Sequence, residues 1–187
     1  MVHVKTLSLF LLSAIMIGCG ETRDDTSTTH YPEITTNTSI LDASDEKEAI
    51  ILDGDTIKLE FDGVLTTIRL IGIDSFETRE SQKAKAQAYD YGISLEEVIT
   101  RGKKAKEYIK TQLSKRVKHY LEYDEDFLDR YGRTLAYVWF SKTQMLNMKI
   151  ICDGYALPLT IQPNDKYAKE FTQCYEDAKA QGLGVWK

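Results

Sequence analysis

Histidine is scarce in this sequence, which has three copies among 187 residues. His3 and His30 precede the predicted folded domain, and His119 falls in a predicted strand. The sequence therefore offers few candidates for the histidine base of a hydrolase triad or for the histidine ligands of a zinc site. The sequence also lacks the glycine-rich signatures of phosphate-binding loops and dinucleotide-binding turns, so neither nucleotide-binding class is indicated.

Cysteine is equally scarce, and Cys152 and Cys174 lack the spacing of zinc ligands. The third copy, Cys19, ends an N-terminal apolar run, which leaves an even number of cysteines in the rest of the chain. In an oxidising compartment Cys152 and Cys174 could form a disulfide. Two buried free thiols on predicted helices are an equally good interpretation.

Long apolar runs are missing apart from residues 7–17, which follow the positively charged Lys5. This run is too short to span a bilayer comfortably and is typical of a signal peptide, predicted over residues 1–18. A buried helix is the alternative interpretation, but a polar segment follows immediately. The run ends in Gly18-Cys19, which resembles a bacterial lipobox, so we expect Cys19 to carry a lipid anchor.

A polar stalk is predicted between this signal and the folded domain. Residues 19–47 are rich in threonine, serine and acidic side chains, which is typical of disorder. The folded domain is predicted over residues 48–187. We therefore expect an exported protein whose domain is held at a membrane surface through Cys19 or is released into the medium.

Net charge gives little guidance about the partner. The chain carries a formal charge of -5, but the excess of acids lies in its first 49 residues. That segment has three basic and eight acidic residues, which leaves 21 of 24 Lys and Arg and 21 of 29 Asp and Glu in residues 50–187. A neutral domain with a local basic surface can still bind a phosphate backbone.

The hydrophobic pattern of residues 48–187 predicts three strands, a helix, two strands and two helices, in that order. Asp62-Gly63 indicates a hairpin turn between the second and third strands. Ser94 and Glu97 form a capping box at the start of the first helix. Five short strands with a helix after the third are typical of a small Greek-key barrel of the OB type. The predicted class is therefore mainly β with α (α+β).

The side chains left to carry chemistry are carboxylates and arginines. They are Asp53, Asp55, Arg69, Asp74, Glu77 and Arg133. If the hairpin turns at Asp62-Gly63, Asp55 pairs opposite Leu70 and beside Arg69. Simple alternation does not place Asp55 and Arg69 on one face, so either a bulge or a position of Asp55 beyond the ladder is needed.

This set of side chains suits a metal-assisted reaction on a phosphodiester. Ligands that offer only oxygen select a hard cation such as Ca²⁺ or Mg²⁺. Guanidinium groups bind phosphate oxygens in a planar fork and, like the cation, stabilise the negative charge of a five-coordinate transition state. A further carboxylate can orient or deprotonate the attacking water.

Three segments resemble staphylococcal nuclease in order and spacing, and they span residues 51–56, 69–78 and 129–137. The terminal Gly-Val-Trp at residues 184–186 also fits, so the resemblance extends over residues 48–187. It implies a five-stranded OB-fold barrel with three helices. It also implies a monomeric, calcium-dependent endonuclease that hydrolyses DNA and RNA to 3′-phosphate ends.

The resemblance assigns a metal site by position. It implies that Asp55 and Asp74 bind Ca²⁺ through their carboxylates and that Ser75 offers its backbone carbonyl. Asp53 would lie near the metal without binding it directly.

The same resemblance assigns the catalytic groups. Glu77 would hold the attacking water and is the candidate general base. Arg69 and Arg133 would bind the phosphate and stabilise the transition state.

The sequence departs from the family at the edges of this site. Phe76 stands where the staphylococcal enzyme has proline, and the segment over residues 81–92 is longer than in that enzyme. Leu159 and Ile161 take the approximate places of tyrosines that contact the nucleotide base. Stacking on a flat ring is lost there, which affects the expected base preference and substrate affinity.

Two other functions suit the predicted fold. One is a catalytically silent OB-type lipoprotein that binds nucleic acid, although such a module would be expected to lose the carboxylates or the arginines. The other is an OB-type lipoprotein for a different ligand, such as a saccharide. Salt-sensitive DNA affinity without cleavage would favour the first, and no DNA affinity would favour the second.

Overall fold

The computed structural model describes residues 31–34 and 42–187. The predicted signal peptide, Cys19 and most of the predicted stalk lie outside the described residues. No helix within the described ranges is both long and apolar enough to cross a bilayer.

The described residues form two sheets. Their strands are β1 (Asp42–Ala43), β2 (Ile50–Ile51), β3 (Thr56–Phe61), β4 (Val64–Leu70), β5 (Gly72–Asp74), β6 (Tyr120–Glu122), β7 (Thr134–Ser141), β8 (Gln144–Met145) and β9 (Leu157–Leu159). The larger sheet has seven strands in the order β1-β6-β7-β4-β3-β2, with β8 beside β7. β5 and β9 form a separate two-stranded sheet. All these pairs are antiparallel except β4 with β7.

Helices pack against these sheets around a shared core. They are α1 (Gln82–Tyr91), α2 (Leu95–Gln112), α3 (Leu146–Cys152), α4 (Ala168–Ala180) and a final 3-10 turn (Gly184–Trp186). α2 begins at the predicted cap, where Ser94 Oγ accepts a hydrogen bond from the backbone N–H of Glu97. A disulfide between Cys152 and Cys174 joins α3 to α4. Trp139 is among the fully buried side chains of the core.

The predicted five-stranded barrel with three helices is wrong in detail, although the α+β class is correct. The described residues form four α-helices, and the larger sheet follows an open path with β1 and β2 at its ends. One additional strand arises at Gly72, where a φ of 80° interrupts the run predicted as a single strand over residues 65–73. A Cβ at this position would lie 2.2 Å from Cε2 of Phe171, so glycine is also required by packing.

The additional helix is α1, in a segment whose sequence is polar. Ser81 caps it by accepting a hydrogen bond from the N–H of Ala84, and Gly92 ends it with a φ of 62°. Its buried side chains are Ala84 and Gln87. Because no stripe of large apolar residues marks the helix, hydrophobic periodicity does not reveal it.

The folded domain begins before residue 48. Within the predicted stalk of residues 19–47, Asp42–Ala43 forms β1 and pairs with β6. The next residue, Ser44, is buried, and its hydroxyl accepts a hydrogen bond from the backbone N–H of His119. This part of the predicted stalk is therefore an edge strand, because its backbone pairs with that of β6 despite its polar side chains.

Candidate active site

A cavity of about 1050 Å³ is lined by residues from separate segments of the chain. Every predicted metal-binding and catalytic residue of the domain lines it, namely Asp53, Asp55, Arg69, Asp74, Ser75, Glu77 and Arg133. The fold thus brings the predicted set into one place, although its members are up to 80 positions apart in the sequence.

Asp55 reaches the cavity because it lies beyond the end of the β3–β4 ladder. The last pair of that ladder joins Thr56 to Arg69, which is the register that a turn at Asp62-Gly63 predicts. The N–H of Leu70 donates a 2.9 Å hydrogen bond to the carbonyl of Asp55, so the backbones stay together one residue further. Of the two arrangements that the sequence allowed, the structure adopts the one without a bulge.

Gly54 lets the turn before β3 approach the residue that follows β5. A Cβ at position 54 would lie 2.5 Å from Cβ and 2.7 Å from Oγ of Ser75. Such contacts are too short for any side chain, so this close approach requires glycine. Gly54 therefore keeps Asp55 close to Asp74, which precedes Ser75.

Arg69 joins the two carboxylates. Its Nη2 lies 3.4 Å from Oδ2 of Asp55 and 3.6 Å from Oδ1 of Asp74. Its Nη1 donates hydrogen bonds to the carbonyls of Leu70 at 2.5 Å and Ile73 at 2.7 Å. The guanidinium is therefore fixed on one side by backbone and faces two carboxylates on the other.

The carboxylates of this cluster have shifted pKa values. Burial, together with the charge of Asp55, raises the pKa of Asp53 to about 6. Burial also raises the pKa of Asp74, helped by the adjacent Asp55 and opposed by Lys83. For Asp55 burial acts in the same direction, but the charge of Arg69 and nearby hydrogen bonds outweigh it and lower the pKa. The cluster concentrates negative charge and favours a bound cation.

The donor chemistry of the cluster fits a hard divalent cation. Among the described residues, no group of three or more His, Cys, Asp or Glu side chains is arranged as a metal site. The carboxylates of Asp55 and Asp74, which both face Arg69, could offer oxygen ligands. Oxygen-only and partly hydrated coordination is usual for Ca²⁺ and Mg²⁺.

Glu77 lies at the edge of the cluster and contacts a lysine that the sequence did not single out. Nζ of Lys83 lies 3.1 Å from Oε1 of Glu77 and 2.8 Å from Oδ1 of Asp74. Lys83 is half exposed, and its pKa is raised because these carboxylates outweigh the effect of its partial burial. Lys83 is therefore a charged partner of both groups.

Arg133 faces the cavity from the turn before β7. Its Nε donates to Oδ2 of Asp129 at 2.7 Å, and its Nη1 lies 3.4 Å from Oγ1 of Thr56. Thr56 in turn donates a 2.7 Å hydrogen bond to Oδ1 of Asp55. This chain of contacts orients Arg133 toward the carboxylate cluster and leaves part of its guanidinium available to a ligand.

Some of the residues that shape the site were missed by sequence reasoning. Asp129 had a signal, since an aspartate at the start of a turn usually accepts backbone hydrogen bonds, as Asp129 does from Tyr131 and Arg133. Lys83 and Gln87 had none, because the helix that carries them was not predicted.

The outer wall of the cavity is partly apolar and partly basic. Leu159 and Ile161 line it, and Ile161 is 65% exposed. On another side Lys106 of α2 donates a 2.9 Å hydrogen bond to the carbonyl of Leu52. The aliphatic side chains offer contact area without a stacking surface, and the lysine places a positive charge at the rim.

Several proteins with similar sequences are named as nucleases. The model of the staphylococcal nuclease homologue family matches residues 67–187. A thermonuclease of Staphylococcus intermedius is 37% identical over 138 residues, which cover 73% of each chain. A thermonuclease of Staphylococcus hyicus is 36% identical over 136 residues, covering 73% of this chain and 72% of the relative. An SPbeta prophage-derived endonuclease of Bacillus subtilis (strain 168) is 32% identical over 137 residues, which cover 72% of this chain and 41% of the relative.

Proposed function

Because the chain belongs to the staphylococcal nuclease homologue family, we propose that it is a calcium-dependent endonuclease. Its reaction is the hydrolysis of phosphodiester bonds in DNA and RNA, leaving 3′-phosphate ends. The observation that carries this proposal is the position of Arg69 between Asp55 and Asp74, with Arg133 and Glu77 in the same cavity.

Asp55 and Asp74 are the proposed metal ligands. They are the acids that Arg69 brings together, and the low pKa of Asp55 keeps it ionised and able to bind a cation. The carbonyl of Ser75 adds a neutral oxygen, and Asp53 increases the local negative charge from nearby. A bound Ca²⁺ supplies positive charge next to the phosphate that is attacked.

Glu77 is the proposed base for the attacking water. It is partly exposed at the cavity wall, so water and substrate can reach its carboxylate. The ion pair with Lys83 limits where that carboxylate can point. A base must lie within hydrogen-bond reach of the proton it removes, which makes this orientation part of the mechanism.

Arg69 and Arg133 are the proposed phosphate-binding groups. Each is anchored through some of its nitrogens, Arg69 by backbone carbonyls and Arg133 by Asp129. An anchored guanidinium does not have to reorganise when charge develops on the phosphate oxygens. Two such groups on different segments stabilise the five-coordinate transition state from two directions.

Export and lipid anchoring complete the proposal and rest on the sequence alone. Cys19 would attach the protein to a membrane surface, and calcium is abundant outside cells, where a weak site can still be filled. A Cys19→Ser variant is expected to move from the membrane fraction to the soluble fraction of cells that express it. Equal membrane association of the variant and the natural protein would contradict the lipid anchor.

The nuclease proposal is tested by cleavage of single-stranded and double-stranded DNA and of RNA. The chain from residue 20 onward, which includes every described residue, is incubated with Ca²⁺, with Mg²⁺ alone or with a calcium chelator. Arg133→Ala and Glu77→Gln variants serve as inactive controls. Calcium-dependent cleavage that both variants lose supports the proposal. DNA binding without cleavage under any cation would instead identify a silent nucleic-acid-binding module.

A further inference from the structure

Gln87 is a buried polar side chain of α1 that faces the loop after β5. It is 6% exposed, so its amide is almost completely removed from solvent. Its Nε2 donates a 2.8 Å hydrogen bond to the carbonyl of Ser75. Its Oε1 accepts a 3.0 Å hydrogen bond from the backbone N–H of Glu77. One side chain thus holds the residues on both sides of Phe76.

This pair of contacts requires an amide. A primary amide donates and accepts at the same time, so Gln87 pairs with the loop as a neighbouring strand would. A methionine of similar length could do neither, and would leave the buried carbonyl of Ser75 and N–H of Glu77 without these partners. Glutamate keeps an acceptor but has no donor when it is ionised.

The loop is also confined on its other sides, so the contacts of Gln87 fix its position. Phe76 is buried and packs edge-on against Tyr91 and Trp186, with ring centroids 5.2 and 5.9 Å away. Gly102 of α2 lies directly behind the loop, where a Cβ would be 2.3 Å from the carbonyl oxygen of Glu77. Phe76 and Gly102 hold the loop in place, and Gln87 sets the orientation of its peptide groups.

We propose that Gln87 is a positioning residue of the active site, which orients the Ser75 carbonyl and the backbone that carries Glu77. This inference rests on the proposed function, because it assigns those two groups to metal binding and to the attacking water. Gln87 contacts neither substrate nor metal. It acts through the loop, and α1 is the element that supplies this control.

The test compares Gln87→Met and Gln87→Glu with Gln82→Met, a matched control on the same helix. Gln82 is exposed, so its replacement removes an amide from α1 without touching the loop. For each purified protein kcat and KM are measured on a DNA oligonucleotide, Ca²⁺ affinity is measured by calorimetry without DNA, and the melting temperature is recorded. Assays are run well below the melting temperature of every variant.

We expect Gln87→Met to lower kcat about 10- to 100-fold, as loss of a supporting contact does at other sites, with KM changed by less than about threefold. Its Ca²⁺ Kd is expected to rise about tenfold. Gln87→Glu is expected to fall between this variant and the natural protein, and Gln82→Met to match the natural protein. If Gln87→Met does not fold, Gln87→Glu is compared with Gln82→Met instead.

The inference is overturned if the folded Gln87 variants keep the kcat and Ca²⁺ affinity of Gln82→Met, or if they lose only thermal stability. Failure of the proposed function has a different signature, because the natural protein itself would then cleave nothing. In that case the inference falls with the function on which it rests.

Discussion

Arg69 Nη2 lies 3.4 Å from Oδ2 of Asp55, at the point where the β3–β4 ladder ends. The same nitrogen lies 3.6 Å from Oδ1 of Asp74 at the end of β5. One guanidinium therefore connects the ends of two strands and offsets the repulsion between two neighbouring carboxylates. Both carboxylates belong to the proposed metal site.

Replacing Arg69 by lysine is expected to lower kcat about 100-fold, the effect of removing one strong donor to transition-state charge. Lysine keeps the positive charge but cannot face both carboxylates and two backbone carbonyls at once. Single-turnover cleavage of a labelled oligonucleotide measures the effect. Arg116→Lys is the control, since Arg116 is exposed and does not line the cavity. Equal rates for the two variants would remove Arg69 from the catalytic groups.

Replacing Lys83 by methionine is expected to strengthen Ca²⁺ binding about fivefold. The ammonium of Lys83 pairs with Asp74 and Glu77 and so competes with a cation for the same oxygens. Because the side chain is about half exposed, its ion pairs are screened and contribute about 1 kcal/mol, which corresponds to that factor. Calorimetric titration with Ca²⁺ gives the affinity.

Lys85→Met is the matched control for Lys83, because it removes the same charge from the same helix. Lys85 pairs with Glu80 and touches none of the proposed metal ligands. If both variants change Ca²⁺ affinity equally, the effect comes from net charge alone. Weaker binding in Lys83→Met would show that Lys83 supports the site.

Acid is expected to destabilise the domain through His119. Its ring is buried against Phe140, and neither ring nitrogen has a hydrogen-bond partner among the described residues. Burial lowers the pKa of His119 below its ordinary value of 6.5. Below that pH the unfolded chain binds the proton more readily than the folded chain. The contribution of the buried neutral His119 to stability is therefore complete above pH 6.5. It is lost as the pH falls toward the pKa of His119 in the folded protein.

Urea unfolding of the natural protein and of His119→Leu, followed from pH 7.5 to pH 5, isolates this effect. Asp53 acts in the opposite direction, since its pKa is raised and folding is favoured when it is protonated. Only the difference between the two proteins therefore reports on His119. We expect the natural protein to lose stability relative to the variant, by at most about 1.4 kcal/mol per pH unit. A difference that does not vary with pH would contradict a buried neutral histidine.

Reduction of the Cys152–Cys174 disulfide is expected to lower the free energy of unfolding by about 3 kcal/mol. The bond closes a loop with a sequence separation of 22. A cross-link of that span lowers the conformational entropy of the unfolded chain, which corresponds to about this free energy. Urea unfolding with and without reductant measures the change. A Cys152→Ala, Cys174→Ala double variant should be insensitive to reductant. Equal stability of the oxidised and reduced natural protein would argue for two free thiols.

Local sequence signals were sufficient for some of these features. Asp62-Gly63 has positive φ at both residues, and the hairpin it closes sets the Thr56–Arg69 pair as predicted. Ser94 caps α2 as its capping box indicates. In each case residues close together in sequence determine the geometry, so spacing alone is informative.

Features that depend on distant contacts were not predictable in this way. α1 buries an alanine and a glutamine, so no apolar stripe announces it. The break at Gly72 is required by Phe171, which is almost 100 positions away. β1 lies within the predicted stalk. Its two residues pair with β6 through backbone hydrogen bonds, and such pairing leaves no hydrophobic pattern in the sequence. The role of Gln87 depends on its position in α1, so it could not be predicted without that helix.

Calcium dependence of cleavage is the central property of the proposed nuclease. The purified protein is stripped of metal with chelator, dialysed into metal-free buffer and titrated with Ca²⁺ while cleavage of a labelled DNA strand is followed. We expect no cleavage without the cation, saturable recovery as Ca²⁺ is added, and no recovery for an Asp55→Asn, Asp74→Asn double variant. Undiminished cleavage in the presence of chelator, or full activity of the double variant, would contradict the proposed calcium-dependent activity.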